Sequence, residues 1–291
     1  MAYSYNLEQM QQLLFKLLKE NTDEQAVQWL KKQLDRYQEQ QKISAFNLTF
    51  TAMPRFMGKN AIDTKESALA AIQALRPGLD LTGWTTDRLA RSWWLLQLPV
   101  AEKAVYVAQL TNLFKAAEMN EQVALYGSLP LLAYPEAFVR QAAEGVRTNI
   151  GVVFDAIVLH NPFPSEYMDE AAWNQVVLKA FFMGRPVNQI IGLDERANKA
   201  LASILSDYAH ERWAAGRTVD PLLWRPVGPF IDEAILPDLQ RLFRSEDELD
   251  QKAAALACSH STYGPAMKLL EQYPIYEAAI EKKTLRWQEF D

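Results

Sequence analysis

Three histidines, one cysteine and a scatter of carboxylates, amides and arginines are the groups of this 291-residue chain that could do chemistry. Metal ligation needs several donors to converge, and His160, His210 and His260 stand far apart in sequence. His210 has Asp207 before it and Glu211 beside it. On a helix these share a face, the geometry of a carboxylate–imidazole–carboxylate site. The same three residues fit a solvated face opposite the stripe Ala197, Leu201, Ile204, Leu205 and Tyr208, and no metal is expected there. Cys258 and His260 would form a nucleophilic pair only if the fold made them converge. A single cysteine excludes an intrachain disulfide framework and any Cys-cluster zinc site. With 11 glycines and no glycine-rich run there is no phosphate loop. No cofactor and no catalytic residue are assigned.

A second group is more telling. Asp155 interrupts the apolar run Ile150–Leu159, and Lys179 interrupts Val176-Val-Leu-Lys-Ala-Phe-Phe. A lone buried charge is costly unless paired and hydrogen-bonded, so both are expected to be largely buried in one network. Arg147, Asn149, Asn174 and Arg212 are the expected co-members. Asn161, Arg217, Trp224 and Arg225 add further polar and aromatic groups between residues 147 and 225. One reading is a pocket for a polar or anionic small molecule, lined by Arg147, Asn149, Asp155, Asn161, Asn174, Lys179, Asp207, His210, Arg212, Arg217, Trp224 and Arg225. The other is a set of inter-helix ties that satisfy helix ends and loop carbonyls.

The elements that must hold these groups read as helices throughout. Leu7, Met10, Leu14, Leu17 and Leu18 form one stripe; Ala26, Val27, Leu30, Leu34 and Tyr37 form the next, with a charged opposite face. A loop is expected around Pro54–Asn60. From residue 85 onward, helices alternate with proline turns, among them Asp169–Met183, Asp194–Ala215, Pro229–Phe243 and Glu246–Cys258. Phe46-Asn-Leu-Thr-Phe-Thr is the only short alternating stretch, and helix suits it equally. Trp93-Trp94 cannot share one helix side, so one faces an interface or the helix is buried broadly. Leu132–Val146 and Phe243–Ala257 form a faint internal repeat. The expected fold is all-α: a HEAT-like α-α superhelical array of antiparallel helix pairs. Residues 1–80 would pack as an N-terminal helical segment on a body of residues 81–291.

Composition narrows the partners. A net charge of −6 argues against a nucleic-acid binder, which needs a basic face. No apolar run approaches the length of a transmembrane helix. The N-terminal stretch is amphipathic rather than a secretion signal, which gives a cytoplasmic location.

Several strings together resemble the EboA-domain family. They are Arg147-Thr-Asn-Ile, Val153-Phe-Asp-Ala-Ile, Asn161-Pro-Phe-Pro, Trp173-Asn-Gln-Val-Val-Leu-Lys-Ala and Gly192-Leu-Asp-Glu-Arg-Ala-Asn. Asp207-Tyr-Ala-His-Glu-Arg-Trp-Ala-Ala-Gly-Arg and Leu223-Trp-Arg-Pro-Val-Gly complete the set. Members of that family are encoded in gene clusters with a prenyltransferase-like membrane protein and hydrolase-like or isomerase-like proteins. Those clusters are associated with moving a metabolite precursor out of the cytoplasm. The resemblance implies metabolite traffic and no particular reaction. It makes a non-catalytic binding or adaptor protein the favoured expectation, with a metabolite, a prenylated carrier or a protein of the same gene cluster as partner. The alternatives are an enzyme acting through Asp155, Lys179, Asp207 and His210, and a pure scaffold.

Overall fold

Side-chain caps start several of the helices. Asn6, Asp23, Asp169 and Asn198 each accept the backbone N–H three residues on, and Glu118 and Glu121 form a reciprocal capping box. A computed structural model describes residues 2–290. Among these there are 17 α-helices and no strand. An isolated bridge joins Ala61 and Thr85. The chain divides into two compact units, Met1–Met168 and Asp169–Asp291.

The first unit holds α1 (Leu7–Asn21), α2 (Glu24–Gln40), α3 (Ile43–Met57), α4 (Glu66–Leu75) and α5 (Thr86–Leu95). It continues with α6 (Lys103–Ala116), α7 (Met119–Gly127), α8 (Val139–Val146), α9 (Gly151–Val158) and α10 (Phe163–Tyr167). Helix α5 is its axle: α1, α3 and α7 all pack on it. Trp93 and Trp94 are both buried, which decides for the broadly buried helix; their indole N–H groups donate to the Gln11 and Phe46 carbonyls.

Helix α3 runs through Pro54, where a loop was expected. Proline has no N–H to give the carbonyl four residues back, normally a helix-breaking loss. That carbonyl belongs to Phe50, and the buried Arg91 Nε donates to it at 3.0 Å. The same guanidinium meets Asp87 at 3.1 Å and lies 3.9 Å from Glu121. Nearby, Arg76 grips Glu166 with two nitrogens and donates to the Pro130 carbonyl with the third.

The second unit holds α11 (Glu170–Phe182), α12 (Lys199–Ala214), α13 (Trp224–Val227) and α14 (Leu236–Phe243). After these come α15 (Glu248–Ser259), α16 (Gly264–Leu270) and α17 (Pro274–Glu281). Helix α15 is central, with Ala253 to Cys258 all buried and α13, α14, α16 and α17 packed around it. The alanines let neighbours come close. At Gly228 a Cβ would lie 2.8 Å from the Ala257 carbonyl oxygen. Helices α12 and α14 begin later than the periodicity implies. Asn198 caps α12, and residues 228–230 form a 3₁₀ turn before α14.

Candidate ligand groove

Helix α12 ends in a sharp reversal that builds one wall of a groove. Gly216 sits at φ 66°, a left-handed conformation that favours glycine. The Gly216 N–H bonds the Trp213 carbonyl, and the Arg217 N–H bonds that of Arg212, a Schellman closure. The reversed chain brings the Thr218 carbonyl within 2.7 Å of Arg212 Nε. Opposite stand α14 and the turn into α15. Together they enclose an open cavity of about 1250 Å³, to which Trp213, Arg212, Arg217, Arg241 and Arg244 contribute.

The charges in this groove are unevenly satisfied. Asp220 accepts the Leu222 N–H, Asp247 accepts the Leu249 N–H, and Asp250 accepts the Ser245 hydroxyl. The arginines differ: no ion pair or hydrogen bond to a carboxylate reaches Arg217, Arg241 or Arg244 among the described residues. The Arg241 guanidinium lies 4.3 Å above the Trp213 ring, which also stacks on Trp224 at 5.9 Å and meets the His210 ring at 5.7 Å. Burial pushes the Asp250 carboxyl above its ordinary range. Asp220 keeps accessible surface, yet the protein around it removes enough water to raise its carboxyl too, against the pull of the Leu222 N–H.

A second cavity of about 530 Å³ shares Phe182, Tyr208, Arg212 and Arg217 with the groove and adds Lys179. Loss of water lowers the Lys179 ammonium below its ordinary value. Arg212, Arg217 and Lys179 therefore meet at cavity walls in the second unit, as three of the sequence-derived candidates.

The remaining candidates sit elsewhere in their units. Asn161 is buried, donating to the Tyr126 and Ala156 carbonyls and accepting from Phe163 N–H. Asn174 exchanges hydrogen bonds with Asn198, the α12 cap. Arg225 forks onto Asp194. Trp224 is fully buried behind Trp213. Asp155 and Lys179 are half-buried rather than largely buried, and Arg147, Asn149 and Asp207 are exposed. The eight-residue α9 explains Asp155: it buries one face only, leaving Ile150 at its cap and Val152 exposed as well. His210 turns to the buried Asp238, at 2.6 Å, whose other oxygen takes the Ser206 hydroxyl.

Sequence reading missed Arg241, Arg244 and Asp238. The sequence marks only a helix over Pro229–Phe243, and nothing local shows that the end of α14 stands opposite the end of α12. Among the described residues no group of three potential ligands could hold a metal ion, and no helix is long and apolar enough to cross a membrane.

A family model described as metabolite traffic protein EboA matches residues 10–228, well over half of the chain. The chain belongs to the EboA family. The EboA match takes in Arg212, Arg217 and Trp213 and ends before Arg241 and Arg244, so one wall of the groove lies beyond it. No curated protein and no solved structure matches the chain.

Proposed function

We propose that this protein is a non-catalytic binding component of metabolite traffic, acting in the cytoplasm beside other proteins of its gene cluster. Its helices form a HEAT-like array, and it holds a polar or anionic metabolite in the groove of the second unit. One observation carries the reading. Arg217, Arg241 and Arg244 lack carboxylate partners in the groove that the half-buried Trp213 also lines, while Asp220, Asp247 and Asp250 of the same groove are engaged by backbone or hydroxyl groups. Guanidinium groups with no carboxylate partner in the protein are suited to a bidentate carboxylate or phosphate. The groove exceeds the usual small-molecule pocket of roughly 300–1,000 Å³, so it admits a ligand of substantial size.

The enzyme alternative rests on His210, whose imidazole Asp238 orients. Activation of a serine needs the imidazole between hydroxyl and carboxylate. Here the carboxylate lies between Ser206 and His210, so the hydroxyl has no base. A binding role fits this order better.

Thermal-shift titration with benzoate and phenyl phosphate tests the proposal. A ligand at a hundred times its Kd stabilises by about 2.7 kcal/mol, a readily measured shift. The expected result is stabilisation by one or both anions that disappears in Arg217→Ala/Arg241→Ala/Arg244→Ala and survives in His210→Ala. No shift with either anion, or one kept by the triple variant, would overturn the groove as an anion site.

A further inference from the structure

Helix α3 has two apolar faces, and only one of them is used. Phe46, Phe50, Met53 and Met57 enter the core of the first unit. Ala45, Leu48, Ala52 and Phe56 form a second stripe at helical spacing, facing a notch between α2 and α3. Leu48 is 72% exposed and Phe56 is 42% exposed, in a chain whose other large apolar groups are mostly inside. Across the notch Trp29 of α2 stacks on Phe56, with rings 4.3 Å apart and 10° from parallel. The notch measures about 210 Å³, below the roughly 300–1,000 Å³ of small-molecule pockets. It suits the anchoring side chain of a polypeptide, not a whole metabolite.

Its charge is one-sided. Arg36 lines it, and the Arg55 guanidinium lies 5.8 Å from the Phe56 ring. No carboxylate lines the notch, and α3 contains none at all, although the chain as a whole is at −6. We infer that the α2–α3 notch is a docking site for an amphipathic helix of a partner protein, with apolar anchors on one face and acidic residues beside them. A second copy of this chain fits less well. A two-fold contact through α3 would gather Arg36 and Arg55 of both copies into one interface, with no carboxylate of the notch to meet them. A bilayer fits less well too, because the apolar surface is a concave notch between two helices and not a protruding row.

Panning a display library of 16-residue helical peptides on the full-length protein tests this. The expected consensus has apolar residues at i, i+3, i+4 and i+7 flanked by Glu or Asp. Selected peptides should bind Leu48→Glu and Arg36→Glu about tenfold more weakly or worse, a difference of about 1.4 kcal/mol. Both positions are exposed, so the variants should melt like the wild type. Recovery of no helical peptide, a basic consensus, or binding unmoved by both substitutions would overturn the inference. So would a Leu48-dependent dimer in sedimentation velocity, or Leu48-dependent binding to phosphatidylserine vesicles, each of which assigns the notch to another occupant.

Discussion

In the first unit Arg91 is about 1% exposed, and its guanidinium is divided among Asp87, Glu121 and the carbonyl that Pro54 leaves free. In the second unit Arg217, Arg241 and Arg244 line the open groove, and none of them makes an ion pair or a hydrogen bond to a carboxylate among the described residues. The residue type is the same and the setting is opposite. Around Arg91, a charge committed to protein partners holds three helices in one arrangement. Around Trp213, charges left uncommitted keep their donors for something outside the chain. Arginine content therefore says little about function; the presence or absence of an internal acceptor says a great deal.

The comparison can be broken most forcefully at Arg91. Arg91→Leu should cost about 3–5 kcal/mol in chemical denaturation, because Asp87, Glu121 and the Phe50 carbonyl would stay buried without their donor. Burial already pushes this guanidinium below its ordinary value, against the pull of Asp87 and Glu121. Arg76→Lys comes next. It removes the fork on Glu166 and the donor to Pro130, and a loss of about 1–3 kcal/mol is expected. Glu166 is partly exposed, which keeps this below the Arg91 effect.

The groove side should behave in the reverse way. Arg217→Ala, Arg241→Ala and Arg244→Ala should each move stability by no more than about 0.5 kcal/mol. Cys258 reports on the same unit: it is fully buried on α15 and its thiol is pushed up to about 12. It should resist thiol reagents in the wild type and in all three variants, and react only on unfolding. Rapid labelling in a variant but not in the wild type would mean that the arginine changed there holds the unit together.

The smallest effect concerns Asp250. Burial chiefly raises its carboxyl, with Asp247 adding to the rise and the Ser245 hydroxyl opposing it. The folded state therefore favours the neutral form. Above the raised value the charge carries a penalty, and the penalty fades as pH falls through that value toward the ordinary aspartate range. Asp250→Asn should stabilise at pH 7 by less than about 0.5 kcal/mol, since solvent screens a partly exposed group. The advantage should vanish in melts at acidic pH.

Much of this architecture was legible in the residues. Stripes such as Met10, Leu14, Leu17 and Leu18, and caps such as Asp23 and Asp169, act over one or two turns, and the helices formed there. What escaped depends on distant partners. Pro54 ended a helix on paper because its compensating donor, Arg91, lies on another helix. Asp155 and Lys179 drew attention by interrupting apolar runs, but a run cannot reveal how many faces of its helix are covered. Arg212 and Arg217 were found through their aromatic surroundings. Arg241 joined them only when α14 was laid opposite the end of α12.

Native mass spectrometry of the protein, purified gently from the cells that naturally produce it, tests the central claim most directly. The wild type should carry a substoichiometric acidic small molecule that is lost at raised ionic strength. The folded Arg217→Ala/Arg241→Ala/Arg244→Ala variant should carry none. Retention of the same molecule by the triple variant, or a wild type that carries no small molecule under any gentle condition, would contradict the account.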